Sequence, residues 1–402
     1  MEGALSGIRI VEVASWTFVP GGGAILAEWG ADVIKVEDPE RGDPLRGLVS
    51  ASIRADGGVN PMLEIANRGK RSVGIDISQE AGREILYQLI ATADVFVTSH
   101  LPAVRRRLGI DLDQIRQRCP EVIYVRGSAN GPKGNEATRG GFDSASYWAR
   151  GGVSDAMTDP GVDWPVARPS FGDMVAGLAL AGGISAALLR RERTGVASVV
   201  DVALLGVGVW NISPDVTSAG LSEDREVTKY ARDEPANPLS GTYRTSDGRF
   251  ISIAMFQFDR FWPTFCEHLD RTDLIADPRF KDAPARYANR RENFAILNGI
   301  FGTRTQAHWC ERFKTIEGVW APVRKPGEVH DDAQVIANGY LQTIVTNNGR
   351  SLTLPANPVQ FDENPPSVAG APGHGEHTDA VLLELGISME EIMEHKISGV
   401  LL

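Results

Sequence analysis

Short apolar runs alternate with longer amphipathic segments along the first part of the chain. Five runs rich in valine and isoleucine predict strands at residues 8–14, 31–37, 71–77, 94–99 and 122–128. Several of the segments between them have the periodicity of helices of about 10–15 residues. A helix between two strands returns the chain to the same edge of a sheet, so the strands run parallel. The pattern therefore predicts an α/β fold with a mainly parallel sheet.

Polar and glycine-rich loops follow the predicted strands. Ligands of parallel α/β sheets bind at loops beyond the carboxyl ends of the strands. The loops of interest are residues 15–23, 38–46, 99–107 and 127–143. In the first of them, residues 17–23 are predicted to form a glycine-rich turn, followed by a helix over residues 24–29.

The remainder of the chain has a different pattern. A long apolar stretch with small residues predicts one helix over residues 172–193, and GTYRTSDGRFISIAM predicts a β-hairpin that turns around residues 246–248. Polar and proline-bearing segments flank a stretch rich in aromatic residues. We therefore predict a large domain over residues 1–224, a smaller α+β domain over 225–320, and a return linker with C-terminal helices of the large domain over 321–402.

Charge and cysteine content narrow the class of protein. The 402 residues include 41 Lys and Arg against 52 Asp and Glu, a formal net charge of −11. Nucleic-acid-binding proteins carry basic surfaces, so this class is not expected. Three scattered cysteines, Cys119, Cys266 and Cys310, fit neither a disulfide framework nor a thiolate metal site. We expect a cytoplasmic protein.

Neither a membrane segment nor a metal site is expected. The longest uncharged apolar-rich stretch, residues 174–189, is shorter than the roughly 20 residues that a membrane-spanning helix needs, which favours a buried helix. The first residues lack the pattern of a signal peptide. His374 and His377 are close in sequence, but their proline- and glycine-rich surroundings indicate a solvated turn.

Asp173 is the most suggestive residue for chemistry, because it begins the long apolar helix in the stretch RPSFGDMVAGL. An aspartate there usually acts as an N-cap, whose carboxylate accepts hydrogen bonds from the free N–H groups. The same N–H groups can hold an oxyanion. A carboxylate beside them, with Gly172 allowing close approach, could also attack an activated acyl group. The local residues leave both roles open.

Dispersed stretches of the chain resemble the class III CoA-transferase family, of the CaiB/BaiF type. The matching stretches run in order through nearly the whole chain: LSGIRIVEVASWTFVPGGGAILAEWGADVIKVEDPERGDPLR, NRGKRSVGIDI, ADVFVTSHLPAVRRRLGI, GFDSASYWARGG, RPSFGDMVAGLALAGGISAALLRRERTG and APGHGEHTDAVLLELGISMEEI. The family includes formyl-CoA transferase, carnitine CoA-transferase and alpha-methylacyl-CoA racemase. The resemblance implies a large Rossmann-like domain, a smaller inserted α+β domain and an interlocked homodimer.

The resemblance also implies an activity. Asp173 would attack an acyl-CoA donor, and CoA would pass to a carboxylic acid acceptor by way of an aspartyl anhydride and an aspartyl-CoA thioester. CoA takes part as a substrate thioester, and no metal is implied. By position in the family motifs, the residues expected to contact CoA are Thr17, Phe18, Lys70, Arg71 and Arg107.

Arginine side chains suit the phosphates of CoA, because the guanidinium fork matches phosphate geometry. Arg41 and Arg46 are further candidates. The alternative for the arginines at residues 105–107 is a solvated helix face. Four aromatic residues could line an acyl pocket or pack in the core: Trp16, Phe18, Tyr147 and Trp148.

Residue 142 separates the two activities of the family. In the racemase branch a histidine stands at this place and shuttles a proton, whereas this chain has Phe142 followed by Asp143. Phenylalanine cannot accept a proton, which favours transfer over racemisation. The chain also lacks the run of four glycines of formyl-CoA transferase, and Asp38 and Ser99-His100 depart from the family pattern. The alternatives are a 2-methylacyl-CoA racemase or epimerase, and a non-catalytic CoA-ester-binding protein.

Overall fold

The computed structural model of the chain describes residues 3–48 and 59–402. The chain divides into two compact units. The larger comprises Met1–Ala156, Pro165–Thr217 and Ala333–Leu402, and the smaller comprises Met157–Trp164 and Ser218–Asp332. The domain boundaries and the inserted domain expected from the sequence stay predictions, as does the interlocked dimer.

The strands of the described residues form three sheets. They are β1 (Arg9–Val13), β2 (Asp32–Glu37), β3 (Arg71–Gly74), β4 (Val95–Thr98), β5 (Ile123–Ser128), β6 (Val199–Ala203), β7 (Ser240–Arg244), β8 (Phe250–Ala254), β9 (Trp320–Pro322), β10 (Leu341–Val345) and β11 (Ser351–Pro355). The first six make one sheet in the order β3-β2-β1-β4-β5-β6, with all neighbours parallel. This confirms the predicted α/β fold and its first five strands.

Helices cover and connect these sheets. They are α1 (Phe18–Glu28), α2 (Pro61–Asn67), α3 (Glu80–Ala91), α4 (Pro102–Arg107), α5 (Leu112–Arg118), α6 (Val153–Ala156), α7 (Phe171–Thr194), α8 (Leu204–Asn211), α9 (Ser213–Leu221), α10 (Phe258–His268), α11 (Ala283–Ala288), α12 (Arg290–Phe301), α13 (Gln306–Arg312), α14 (Ala333–Ala337), α15 (Thr378–Glu384) and α16 (Met389–Ile397). A π-helical segment, Ser144–Arg150, precedes α6.

The predicted glycine-rich turn at residues 17–23 is wrong, because these glycines lie inside α1. Gly22 serves the crossing of α1 with α7, whereas Gly23 lies against the side chains of Glu12 and Lys70. A Cβ at residue 22 would lie 3.0 Å from the carbonyl oxygen of Gly177, and a Cβ at residue 177 would lie 3.0 Å from the amide nitrogen of Gly22. Glycine destabilises a helix interior relative to alanine, but here only glycine lets the two backbones come into contact.

The long helix predicted over residues 172–193 is confirmed as α7. Its buried residues, which include Leu180 and Ile184, join the core beneath the sheet. Among the described residues, α7 is also the one helix long and apolar enough to cross a membrane by length and composition. Half of that apolar stretch is buried inside the protein, and core helices have the same composition.

The smaller unit is built on the antiparallel strands β7, β8 and β9. The predicted hairpin is confirmed, and Gly248 takes the left-handed conformation that its turn requires, with φ of +74°. Aromatic rings fill the core behind it. Tyr243 stacks on Phe294 and Phe301, with ring centroids 5.3 and 5.0 Å away.

Candidate active site

Two cavities open at the carboxyl ends of the six-stranded sheet. The strand order reverses between β1 and β4, and parallel sheets bind ligands beside such a reversal. The first cavity, of about 360 Å³, is lined by residues that follow β1, β2, β3 and β4, among them Ser15, Asp38, Arg41, Ser78, His100 and Arg107. The second, of about 490 Å³, is lined by Arg126 in β5, by Asp201 in β6 and by residues that follow β1, β4 and β5, among them Trp16, Ser99, His100 and Phe142.

His100 and the loop after β1 separate the two cavities. His100 lines both, whereas Ser15 lines the first and Trp16 the second. Burial, together with the charge of Lys35, lowers the pKa of His100, so the imidazole is neutral near pH 7. An extended ligand could therefore pass from one cavity to the other along a neutral side chain.

Two guanidinium groups of the first cavity have no carboxylate partner within residues 3–48 and 59–402: those of Arg41 and Arg107. Arg46, the other arginine candidate of this loop, is already used. It donates two hydrogen bonds of 2.7 Å to Glu37. Burial would raise the pKa of Glu37, but the bonds from Arg46 and the charge of Lys35 outweigh it and hold this pKa at about 2. Arg41 and Arg107 are therefore the cations left to meet an anionic ligand.

Lys70 and Arg71 are not available to a ligand in these cavities, contrary to the expectation from the sequence. Lys70 is buried, and its ammonium lies 2.8 Å from Glu12. Burial lowers the pKa of Lys70 to about 8 in spite of that partner. Arg71 opens β3 at the amino-terminal edge of the sheet, opposite the cavities, where it binds Asp32 and Glu384. Both residues hold elements together.

Thr17 and Phe18 stand at the start of α1, directly behind the loop between the cavities. Both side chains are buried, and the ring of Phe18 belongs to the core. Any contact from these two residues to a ligand in the cavities would therefore come from backbone atoms. The expectation that Thr17 and Phe18 bind CoA stays a prediction.

Asp173 is the third residue of α7, and a different aspartate meets the start of this helix. The helix begins at Phe171, after Ser170 in the left-handed conformation with φ of +57°. The carboxylate of Asp143 accepts hydrogen bonds from the amides of Gly172 (3.0 Å) and Ser144 (2.7 Å). The interpretation of Asp173 as the N-cap of α7 is thus wrong, because Asp173 lies inside the helix. The Gly172 amide donates to the carboxylate of Asp143 and not to that of Asp173.

The carboxyl group of Asp173 is buried and lies near another negatively charged carboxylate. Burial is the largest influence, the charge of Asp143 adds to it, and a hydrogen bond from Ser170 opposes both. Together they raise the pKa of Asp173 to about 7. A carboxyl group with such a pKa is only partly ionised near neutrality, and perturbed groups of this kind concentrate at functional sites.

Gly172 lets the start of α7 approach a buried tyrosine. A Cβ at residue 172 would lie 2.5 Å from Cγ of Tyr147, inside the contact distance of two carbon atoms. Tyr147 is itself buried and belongs to the core. The expectation that Gly172 lets an acyl group approach Asp173 stays a prediction; the surface that lies against Gly172 is an aromatic ring.

The four aromatic candidates for an acyl pocket divide into two groups. Phe18 and Tyr147 are core residues, and Trp148 packs edge-on against Phe171 at 5.8 Å. Trp16 is more than one-third exposed and lines the second cavity. Its indole meets the ring of Phe142 edge-on, with centroids 5.3 Å apart, and Phe142 was not among the candidates.

Sequence reasoning also missed a buried ionic cluster that holds the loop after β1. Lys35 lies 3.2 Å from Glu12, 2.8 Å from Asp43 and 2.7 Å from the carbonyl oxygen of Ala14. Asp43 in turn accepts a hydrogen bond from the amide of Trp16. The signal was present, since Glu12 and Lys35 are charged residues inside apolar strands, and buried charges must be paired.

Residues 5–378 match the family model described as CoA-transferase family III. The chain belongs to CoA-transferase family III. This family III chain is 31% identical to (R)-2-hydroxy-4-methylpentanoate CoA-transferase of Clostridioides difficile, over 98% of this chain and 99% of the relative. It is 29% identical to cinnamoyl-CoA:phenyllactate CoA-transferase of Clostridium sporogenes, over 97% and 95% of the two chains.

Solved structures agree with this assignment. A CaiB/BaiF family protein from Brucella suis superimposes with a TM-score of 0.83 at 27% identity, over 96% of this family III chain and 100% of the other. Rv3272 from Mycobacterium tuberculosis superimposes with a TM-score of 0.81 at 28% identity, over 95% and 99% of the two chains. The resemblance noted from the sequence is therefore confirmed over nearly the whole chain.

Proposed function

We propose that this protein is an acyl-CoA:carboxylate CoA-transferase in which Asp173 is the nucleophile. The observation that carries the proposal is that two aspartates at the start of α7 have different roles. Asp143 accepts the hydrogen bond of the Gly172 amide, which leaves the buried carboxylate of Asp173 free for chemistry. Family membership and the named activities of the relatives supply the reaction class.

The proposed reaction has four steps. An oxygen of Asp173 attacks the thioester carbonyl of the donor, and the CoA thiolate leaves as a mixed anhydride forms. The thiolate attacks the aspartyl carbonyl, which gives an aspartyl-CoA thioester and releases the donor acid. The acceptor carboxylate attacks this thioester, so that CoA leaves again and a second anhydride forms. Finally the thiolate attacks the acceptor carbonyl, and Asp173 is freed as a carboxylate.

The surroundings of Asp173 suit this sequence. Because Asp173 is buried, water has little access to an anhydride formed on it, and hydrolysis of the anhydride would be slow. Asp173 lies in the first turn of α7, at the positive end of the helix dipole, which would favour an oxyanion that develops beside it. The raised pKa makes the carboxylate of Asp173 more basic than an exposed one, which strengthens it as a nucleophile.

We place the nucleotide part of CoA in the first cavity. Arg41 and Arg107 offer two unpaired guanidinium groups to its phosphates within the described part of the chain. From there the pantetheine arm would pass His100 into the second cavity. Phe142 lines that cavity, and the adjacent Asp143 bonds to Gly172 beside the nucleophile. No step of the proposal calls for a metal.

Racemisation is the weaker alternative. It needs a second base near the acyl group, and residue 142 offers a phenyl ring. Asp143 is engaged by two backbone amides and cannot leave them without uncapping α7. A test is deuterium exchange at the α-carbon of a 2-methylacyl-CoA without an acceptor acid, and we expect none.

The proposed assembly is a homodimer, and the proposed location is the cytoplasm. Large apolar side chains that a single chain leaves open, such as Trp210 and Leu221, support the dimer. Light scattering should give twice the chain mass of 43.4 kDa, and a mass of one chain would contradict it. Cell fractionation would test the location, which rests on the scattered cysteines.

The decisive experiment replaces Asp173. The donors and acceptors are panels of CoA thioesters and free acids read by mass spectrometry. We expect Asp173→Ala to abolish CoA exchange, a loss of about 10⁴-fold or more, as when a covalent nucleophile is removed. Hydroxylamine added during wild-type turnover should trap Asp173 as its hydroxamate, detectable in the tryptic peptide.

The control is Asp155→Ala, on the separate short helix α6. This variant should exchange CoA at a rate close to wild type. Full activity of Asp173→Ala, or a hydroxamate at another residue, would refute the proposed nucleophile. Tight CoA binding without turnover on any pair of substrates would instead favour a CoA-ester-binding protein.

A further inference from the structure

The second cavity carries an inference about the acyl group, which rests on the proposed function. Its wall contains two aromatic rings that the chain leaves open, since Trp16 is 37% and Phe142 is 56% exposed. Leu101, Pro102 and Ala129 add further apolar surface. An edge-to-face pair covers only one face of one ring, so a third ring can stack on a face that stays open.

Trp16 is held in this position at the expense of backbone strain. Its φ of +70° lies in the left-handed region, where a bulky residue is an outlier. The loop is fixed at two neighbouring amides. That of Trp16 donates to Asp43 at 3.2 Å, and that of Ser15 donates to the hydroxyl of Ser99 at 3.1 Å. Strained residues persist where the surroundings over-determine them, and they cluster at ligand sites.

The same cavity offers no free cation to a second carboxylate on the substrate, within the residues that the structure describes. Each of its three arginines is paired with a carboxylate: Arg105 with Asp111 at 2.9 Å, Arg126 with Asp201 at 2.7 Å, and Arg139 with Glu136 at 3.1 Å. Glu136 also binds Arg150. His100, the remaining basic residue of the wall, has a lowered pKa. A dicarboxylic acyl group would lose its hydration here without gaining an ion pair.

Asp173 is not among the described residues that line this cavity, but a hydrogen bond connects its neighbour to the cavity wall. Phe142 precedes Asp143, whose carboxylate reaches the amide of Gly172, the residue before Asp173. In the proposed reaction, the acyl group would therefore extend from the two rings toward the start of α7.

We infer that Trp16 and Phe142 are the specificity-determining residues of this transferase and that they select a monocarboxylic acyl group bearing an aromatic ring. The rings provide stacking area, the strained loop fixes one of them, and the paired arginines disfavour diacids. Trp16 and Phe142 bind the acyl group and take no part in the covalent steps.

The test compares donors on the full-length enzyme. 3-Phenylpropionyl-CoA, acetyl-CoA and succinyl-CoA are used with one common acceptor acid. We expect the wild type to favour the phenylpropionyl donor in kcat/KM. Trp16→Gly removes the indole while glycine accepts the left-handed φ, and Phe142→Leu keeps an apolar side chain without a ring. Each should lower the ratio of phenylpropionyl to acetyl kcat/KM by about tenfold.

Two controls separate selectivity from general damage. Ile397→Ala, at an exposed position of α16, should leave the ratio unchanged. Binding of the inert thioethers S-(3-phenylpropyl)-CoA and S-ethyl-CoA, measured by calorimetry, reports on the cavity without any chemistry. The phenyl thioether should bind the wild type more tightly, and both ring variants should reduce that advantage.

The outcomes distinguish the two proposals. A wild type that prefers acetyl-CoA or succinyl-CoA, or ring variants that lower all donors equally, would overturn the inference and leave the transferase proposal standing. A preference for the phenyl thioether in a protein that transfers no CoA would refute the transferase and retain the aromatic pocket. An unchanged ratio together with a lower mass of Trp16→Gly by light scattering would assign Trp16 to a contact with a second copy, against the inference.

Discussion

Asp143 and Asp173 come from different segments and divide two tasks at one helix start. Asp143 accepts the amide hydrogen of Gly172, a bond that an aspartate at the head of a helix would normally accept itself. Asp173, one residue further along, keeps a carboxylate that is buried and repelled by its neighbour. The reactivity of Asp173, the proposed nucleophile, therefore depends on Asp143, which accepts the Gly172 hydrogen bond and raises the pKa of Asp173.

The raised pKa of Asp173 predicts the pH dependence of the reaction. The carboxylate is the reactive form, so kcat/KM should rise about tenfold per pH unit up to pH 7 and level off above it. The measurement is initial rates between pH 5.5 and 8.5 with donor well below KM. Binding of an inert CoA thioether serves as the control and should show no such step. A flat kcat/KM profile over this range would contradict the assignment.

The same pKa makes Asp173 a cost to stability at neutral pH. The folded protein holds the proton up to about pH 7, whereas the unfolded chain loses it near pH 4, so stability falls as pH rises between these values. Asp173→Asn removes this dependence. The variant should exceed wild type in unfolding free energy by up to about 4 kcal/mol at pH 8 and by little at pH 4. Urea unfolding at the two pH values would reveal an equal difference if the carboxyl were unperturbed.

At the scale of elements, the crossing of α1 and α7 brings the loop after β1 beside the proposed nucleophile. Gly22 and Gly177 meet backbone to backbone, which fixes both the distance and the angle of the two helices. The loop that carries Trp16 leads into α1, and Asp173 stands in the first turn of α7. These two glycines thus act through the placement of the two helices.

A pair of glycines on α7 tests this point. Gly177→Ala would press a methyl group against the backbone of α1 and should destabilise the protein by about 1–3 kcal/mol. Gly182→Ala, on the same helix with open space around its Cβ position, should stabilise it by about 0.5–1 kcal/mol. Urea unfolding measures both. Equal effects of the two substitutions would contradict a tight crossing.

At the scale of the whole larger unit, the proposed substrate site lies at the carboxyl edge of the six-stranded parallel sheet and is formed by strand ends and the loops that follow them. β1 to β4 contribute to the first cavity and β1, β4, β5 and β6 to the second, with the reversal of strand order between them. The acidic balance of the chain is thus compatible with an anionic substrate, because only a few arginines need to face it.

Two neighbouring arginines of α4 test the placement of CoA. Arg107 lines the first cavity, whereas Arg106 is mostly exposed and lies 3.8 Å from Asp111. Arg107→Met should raise KM for acyl-CoA by about 10- to 100-fold with a smaller change in kcat, as expected for the loss of a charged hydrogen bond. Arg106→Met should change KM by less than about threefold. Similar effects of the two substitutions would place the phosphates elsewhere.

The family assignment and most of the fold could be predicted from the sequence. Five strands, the long helix α7 and the hairpin of β7 and β8 are confirmed, because periodicity and turn residues are local properties. Asp173 could be singled out for the same reason, from its position at the head of an apolar helix.

The sequence could not predict which polar residues are free to bind a ligand, because their pairing depends on residues that are distant along the chain. Lys70 matches a family motif, yet Glu12, 58 residues away, occupies its ammonium. Arg71 belongs to the same motif and points to the opposite edge of the sheet. The glycines at residues 21–23 resembled a turn, but they lie in α1, where Gly22 meets the backbone of α7 and Gly23 meets the side chains of Glu12 and Lys70.

The sequence by itself determined the α/β class, the family and the candidate nucleophile, since short stretches of residues indicate each of them. Only the tertiary structure decided which charges remain free, which aromatic rings stay open and which aspartate caps α7. Asp143 lies 29 residues from Gly172, and Asp43 lies 27 residues from Trp16. Burial and pairing across such separations arise from the packing of whole elements, which no local pattern contains.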